Sequence, residues 1–236
     1  MKKLIVWMFV FIMMVSLTAC GNSDRAESTN HSLEESVASL QEESSDVEQS
    51  EGRVEHDSQT VLVAYFSWAD NAVVEGEVDA VSSPSVTKPG NVEQLALWVQ
   101  ERTGGELFSI RVTEPYPSDW DECLKRANEE KADGARPELA QSVENMEDYD
   151  VIFLGYPNWW YSCPTAILSF LEEYDLSGKQ IYLFCSHGTG GLASSVEDIR
   201  AAIPNSSISE HVFDVYEEDA ASSKQDIETW LEELGY

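Results

Sequence analysis

The chain has 236 residues and a mass of 26.4 kDa, enough for one well-buried domain and lean for two. Its 44 acidic residues against 14 basic ones give a formal charge of −30, which repels a polyanion over the whole surface and argues against nucleic acid as a partner. At 42% hydrophobic, with 7 Trp, 9 Tyr and 8 Phe, it is too apolar to be wholly disordered, so charge and core must be segregated along it.

The apolar excess begins at the amino terminus. Lys2 and Lys3 precede an apolar run from Leu4 to Met14 and then Val15-Ser16-Leu17-Thr18-Ala19-Cys20, the layout of an export signal. The run is short for a permanent span of roughly 20 apolar residues. Leu17-Thr18-Ala19-Cys20 resembles the bacterial lipoprotein processing motif, which implies cleavage before Cys20 and acylation of its thiol, as with palmitate. Residues 1–19 are thus expected to be a signal peptide, and the mature protein to be lipid-anchored at the extracytoplasmic side of the cell membrane. From residue 20 to 58 the composition turns to Ser, Glu, Gln and Asp without an aromatic residue, eleven acidic residues facing only Arg25 and Arg53. Such a segment buries too little apolar surface to offset the entropy of ordering, and predicts an extended tether.

The remaining residues 59–236 carry thirty-three acidic and ten basic residues, a charge near −23. Cys123, Cys163 and Cys185 form no CxxC pair, and no cysteine-histidine spacing reads as a zinc site, so no metal is expected. Cys163 and Cys185 lie in apolar surroundings and read as small core residues.

Strand-like and helix-like segments alternate through this region, the pattern of an α/β sheet covered on both faces. Val61 to Phe66 is apolar without a break, which predicts a central parallel strand. After a long polar excursion, Pro89-Gly90-Asn91 opens a helix with Val92, Leu95, Ala96, Trp98 and Val99 at helical spacing, ended by Gly104-Gly105. The second strand is Glu106 to Ile110, followed by a helix from Trp120 to Lys131. The third strand is Tyr149 to Tyr156, with a helix from Thr165 to Tyr174 after it. Gln180 to Cys185 is the fourth strand, and Gly190-Gly191 introduces a helix to about Ala202. Ile208 to Val215 supplies the fifth strand and Ala220 to Leu234 the closing helix. Right-handed crossovers place ligand loops at the carboxyl ends of such strands, where Ser67, Pro157 and Ser186 fall.

Those loops carry a resemblance over residues 60 to 236. Val63-Ala64-Tyr65-Phe66-Ser67 leading to a Gly-Asn helix opening, then Gly155-Tyr156-Pro157-Asn158-Trp159-Trp160, then Phe184-Cys185-Ser186-His187-Gly188-Thr189-Gly190-Gly191, together resemble the flavodoxin family. The resemblance implies a three-layer α/β flavodoxin-like fold, a five-stranded parallel sheet in the order 2-1-3-4-5, and FMN held by the three loops. A phosphate needs converging donors more than cations, and backbone amides at a helix start beside a hydroxyl supply them.

In the first loop this chain departs from the family's uninterrupted Ser-x-Thr-Gly-Asn-Thr. Either Ser67-Trp68-Ala69-Asp70-Asn71-Ala72 is the loop, with a carboxylate beside the phosphate, or Ser67-Trp68 begins it and Thr87 with Gly90, Asn91 and Val92 completes it. The second register leaves about residues 69 to 86 as an insertion, a flap near the flavin, and is preferred because Gly90-Asn91 directly precedes the apolar helix. In the second loop Pro157, Asn158, Trp159, Trp160 and Tyr161 present three consecutive aromatics suited to a flat tricyclic ring. In the third, Ser186, His187, Gly188, Gly190 and Gly191 allow the main chain to approach the ring's polar edge. His187 is the candidate catalytic group; as a donor to flavin or acceptor it would move a proton, and as a cap it would only satisfy local carbonyls. The expected function is FMN-dependent electron transfer or oxidoreduction with a redox protein partner or a small quinone-like acceptor. The alternatives are an NAD(P)H-dependent quinone or aromatic reductase and a flavin-free surface module. A hydrolase is disfavoured because no GxSxG elbow is present.

Overall fold

The computed structural model describes residues 59–74, 78 and 83–236. The signal peptide, Cys20 and the tether lie outside the described residues. β1 (Val61–Tyr65) is followed by α1 (Trp68–Asn71), β2 (Ala72–Val73), α2 (Ser83–Val86), α3 (Asn91–Thr103), β3 (Glu106–Ser109), β4 (Tyr116–Pro117) and α4 (Trp120–Asp133). Then come β5 (Val151–Pro157), α5 (Thr165–Glu173), β6 (Gln180–His187), α6 (Ser195–Ala202), β7 (Ser207–Ile208), β8 (Phe213–Tyr216) and α7 (Lys224–Glu233).

The main sheet runs β3-β1-β5-β6, and β7 and β8 both pair with β6 on the edge away from β5. Every pairing is parallel, so this is the expected 2-1-3-4-5 order with its fifth strand in two pieces. The break falls at Ser209-Glu210-His211, where Ser209 Oγ accepts the His211 N–H at 3.0 Å and takes it from the ladder. Short pieces at an edge also present little open strand to a second chain.

Alternation along β1 divides the core. Leu62, Ala64 and Phe66 face the layer that includes α4, α5 and α6, packing with Cys123, Ile167, Phe170 and Ile199. Val61, Val63 and Tyr65 face α3 and α7, packing with Leu95, Val99, Ile227 and Leu231. Helices thus cover both faces of a sheet whose central strands are wholly buried, as their continuous apolar runs demand. The three cysteines are free and buried; burial pushes the Cys123 and Cys163 thiols up to about 12 and Cys185 well above its usual value. They are core residues, as their apolar surroundings imply.

Two stretches differ from the sequence expectation. The polar excursion after β1 is not a plain insertion: β2 pairs in parallel with β4, Ala72 with Tyr116 and Val73 with Pro117, forming a second small sheet. Trp68 reinforces it, its Nε1 donating to Pro117 O at 3.0 Å. The helix expected from Gly190 begins only at Ser195, because Gly191 (φ 58°) and Ala193 (φ 43°) are left-handed and cannot continue a right-handed helix.

Candidate functional site

The carboxyl ends of β1, β5 and β6 deliver three loops to one cleft of about 300 Å³, within the range of small-ligand sites. Ser67, Trp68, Asn91 and Val92 line it from the first loop, Pro157, Asn158, Trp159, Trp160 and Tyr161 from the second, and Ser186, His187, Gly188, Thr189 and Gly190 from the third. Of the expected residues, Thr87, Gly90 and Gly191 do not line it. Thr87 is exposed, and Gly191 sits in the left-handed turn that carries the chain on toward α6. Gly90 lies behind the wall: a Cβ placed on it would stand 2.5 Å from Ser67 Oγ and 2.9 Å from Ser85 O.

Asn91 and not Asn71 faces the cleft. Asn71 is buried and fully engaged, its Nδ2 donating to Ser67 O (2.9 Å) and Ile110 O (3.0 Å) and its Oδ1 accepting from Val112 N (2.8 Å). Asp70, which the contiguous register would set beside a phosphate, turns instead into the protein. It accepts hydrogen bonds from Tyr65 Oη (3.0 Å), Ser109 Oγ (2.7 Å) and Lys88 Nζ, with Arg111 further off at 3.8 Å. Burial works to raise Asp70, but the donors from Lys88, Ser109 and Tyr65 outweigh it and hold the carboxyl below its ordinary value. Of the split register, Asn91 and Val92 line the cleft and Thr87 and Gly90 do not.

One end of the cleft is rich in unspent donors. Ser67 Oγ is buried and has no hydrogen-bond partner among the described residues, an arrangement rare in folded proteins unless a ligand completes it. Beside it starts α3, whose first-turn amides have no cap because Gly90 has no side chain. Ser85 of the insertion adds a second hydroxyl, and among the described residues no Lys or Arg lines the cleft.

The other end is aromatic, though not with three exposed rings. Trp159 is buried, packed edge-on against Tyr116 (5.0 Å between centroids), Phe66 (5.3 Å) and Trp68 (5.7 Å). Its main chain pairs with Ser162 in both directions, at 2.8 and 3.1 Å. The two residues between, Trp160 (φ 47°) and Tyr161 (φ 67°), are both left-handed, as a tight two-residue hairpin turn requires. Large side chains there are strained, and Tyr161 is 66% exposed. Trp120 of α4 extends the aromatic wall, its ring 5.9 Å from that of Trp160. Loops two and three are tied together by Asn158 Nδ2 donating to Leu192 O (2.9 Å) and Ser194 Oγ donating to Tyr161 O (2.7 Å).

His187 lines the cleft with both nitrogens engaged, Nδ1 to Gly188 O and Nε2 to Asp214 Oδ2, each at 2.8 Å. A carbonyl and an ionised carboxylate both only accept, so each ring nitrogen is the donor in these two contacts. His187 thereby brackets the third loop to β8, the local capping arrangement and not a ring nitrogen free for a ligand. Sequence reasoning missed Ser85, Trp120, Thr189, Tyr216 and Glu217, which also line the cleft. Tyr216 and Glu217 end the fifth strand at the same sheet edge as the other loops, and that rule alone would have found them. Burial pushes Glu217 above the ordinary carboxylate value, Glu218 adds to the shift and His187 opposes it.

The chain is similar to several solved structures. A candidate flavoprotein from Bacteroides eggerthii DSM 20697 is 26% identical, the match covering 75% of this chain and 99% of that one at a TM-score of 0.58. A second, from Bacteroides uniformis ATCC 8492, is 22% identical over 74% of this chain and 98% of its own, also at 0.58. A flavoprotein in complex with FMN from Lactobacillus acidophilus NCFM is 17% identical over 71% of this chain and 99% of its own, at 0.50. The last two likenesses show the fold alone. No curated protein matches the chain. The flavodoxin family profile matches residues 60–234, which takes in every strand and helix described above, and the chain belongs to the flavodoxin family.

Proposed function

We propose that the cleft binds FMN and that the protein is an electron carrier or FMN-dependent oxidoreductase. The observation that carries this reading is the orphaned Ser67 hydroxyl, buried against Gly90 at an uncapped helix start, with an aromatic wall in the same cleft. Bound FMN would supply a redox centre that takes up and releases electrons. Ser67, Ser85 and the amides of Asn91 and Val92 hold the phosphate by hydrogen bonds, without a cation. Trp120, Trp160 and Tyr161 would hold the ring, and the main chain of Ser186 to Gly190 would offer donors to its polar atoms. His187 fixes that loop through Gly188 and Asp214. The visible spectrum of residues 59–236 after FMN addition tests the reading: a bound, red-shifted and quenched flavin is expected, and a colourless protein after desalting refutes it.

The partner and the setting are part of the proposal. A cleft lined by no Lys or Arg among the described residues, on a domain charged near −23, favours a basic protein or an uncharged quinone-like partner over a phosphate-bearing nicotinamide. Slow reduction by NADPH in stopped flow, and fast reduction by a basic redox protein that weakens with salt, is the expected pattern. The Leu17-Thr18-Ala19-Cys20 motif supports a lipid anchor at the extracytoplasmic membrane face.

Tyr161 offers a separate check on the ring end. Glycine removes the left-handed strain, about 1 kcal/mol, while the mostly exposed ring surrenders little packing. Tyr161→Gly is expected to raise the melting temperature of the flavin-free protein by about 2–4 °C and to weaken FMN binding about tenfold. Thermal melts and flavin-fluorescence titration measure the two effects.

A further inference from the structure

Among the described residues, Glu217 is the one carboxylate lining the cleft. It follows β8 and is half-buried, and among the described residues its side chain receives no hydrogen bond and forms no ion pair. Its main chain is pinned on both sides, the N–H donating to His187 O (2.8 Å) and the carbonyl accepting from Asn91 Nδ2 (3.1 Å). Its Oε1 lies 3.3 Å from where a Cβ on Gly188 would stand, so the carboxylate rests against the third loop. A partly desolvated, unpaired carboxylate on a pinned main chain inside a ligand cleft is the kind of group that functional sites use for proton exchange.

The ionisable surroundings do not neutralise it. From β6 comes the His187 imidazole, already held by Asp214 of β8; along its own strand end come Tyr216 and exposed Glu218; from α3 comes only the uncharged amide of Asn91. Negative charge added to this cleft raises the cost of keeping Glu217 ionised.

We propose that Glu217 is the proton-exchanging group of the cleft. When an external reductant delivers one electron to the cofactor, the carboxylate takes one proton from solvent, and it returns that proton when the electron leaves. Charge balances at each step. The inference rests on FMN occupying this cleft.

The test uses the full chain loaded with FMN and titrated with dithionite from mildly acid to mildly alkaline pH. The wild-type midpoint potential is expected to carry an inflection beyond that of free FMN. Across it, the ratio of oxidised-to-reduced cofactor affinities changes up to about tenfold per pH unit. Glu217→Gln removes the inflection, Glu217→Asp retains one, and Glu218→Gln moves it to lower pH. Superimposable wild-type and Glu217→Gln curves on yellow protein overturn the inference alone. So does an inflection lost in His187→Gln and kept in Glu217→Gln. A chain that never retains FMN overturns both the inference and the cofactor reading.

Discussion

Alanine at position 90 is expected to cost at least about 100-fold in FMN affinity, roughly 2.7 kcal/mol. The added methyl would sit 2.5 Å from Ser67 Oγ, 2.9 Å from Ala69 Cβ and 2.9 Å from the main-chain oxygen of Ser85. Two of those neighbours cannot swing away, since Ala69 has no rotamer and Ser85 O belongs to the backbone of α2. The helix start therefore shifts away from Ser67, and the hydroxyl and first-turn amides no longer converge. Overpacking of this kind also destabilises the fold by about 1–3 kcal/mol. Ser67→Ala is the companion variant: it deletes the hydroxyl without moving α3, so a loss near tenfold is expected. Riboflavin, which lacks the phosphate, separates the effects in equilibrium titration. If Gly90→Ala weakens riboflavin as much as FMN, the damage is general and the phosphate assignment is wrong.

The second large effect is on stability. Asp70→Asn is expected to destabilise the domain by about 2–3 kcal/mol at neutral pH, because it withdraws charge from Tyr65 and Ser109, whose hydroxyls meet at the same oxygen. Lys88 adds less, being 59% exposed and screened by water. The carboxyl titrates lower in the folded chain than in the unfolded one. Its contribution is therefore complete above the unfolded value of about 3.9 and disappears as pH falls through the lower folded value. Urea melts of wild type and Asp70→Asn should differ most near neutrality and converge in strong acid. A gap that stays constant down to strong acid would show that the carboxylate charge is not what holds β1, β3 and the Lys88 segment together.

Much of the architecture was legible because it rests on local periodicity. Val61 to Phe66 could only be a central strand, and the spacing of Val92, Leu95, Ala96 and Val99 could only be a helix with one buried face. The site was legible where an edge rule applied, since Ser67, Pro157 and Ser186 each end a strand on the same side of the sheet. What escaped depends on residues distant in sequence. Nothing in Ala72-Val73 announces a pairing with Tyr116-Pro117. Trp159 reads as one of three exposed rings until Phe66, Trp68 and Tyr116 are seen to enclose it. Asp70 looks like a liability beside a phosphate until Tyr65, Lys88 and Ser109 are found around it. The fifth strand was read as continuous, although a single serine side chain takes the amide that would have continued it.

The buried thiols bear on what kind of electron traffic the domain can carry. Burial pushes the Cys123 and Cys163 thiols up to about 12, which keeps both sulfurs protonated near neutral pH. Cys185 is shifted in the same direction. Peroxide and small disulfides attack the ionised form, so sulfur oxidation should stay kinetically silent while the fold is intact. In an oxidising compartment the domain would neither cross-link nor lose reducing equivalents through its own side-chain sulfur.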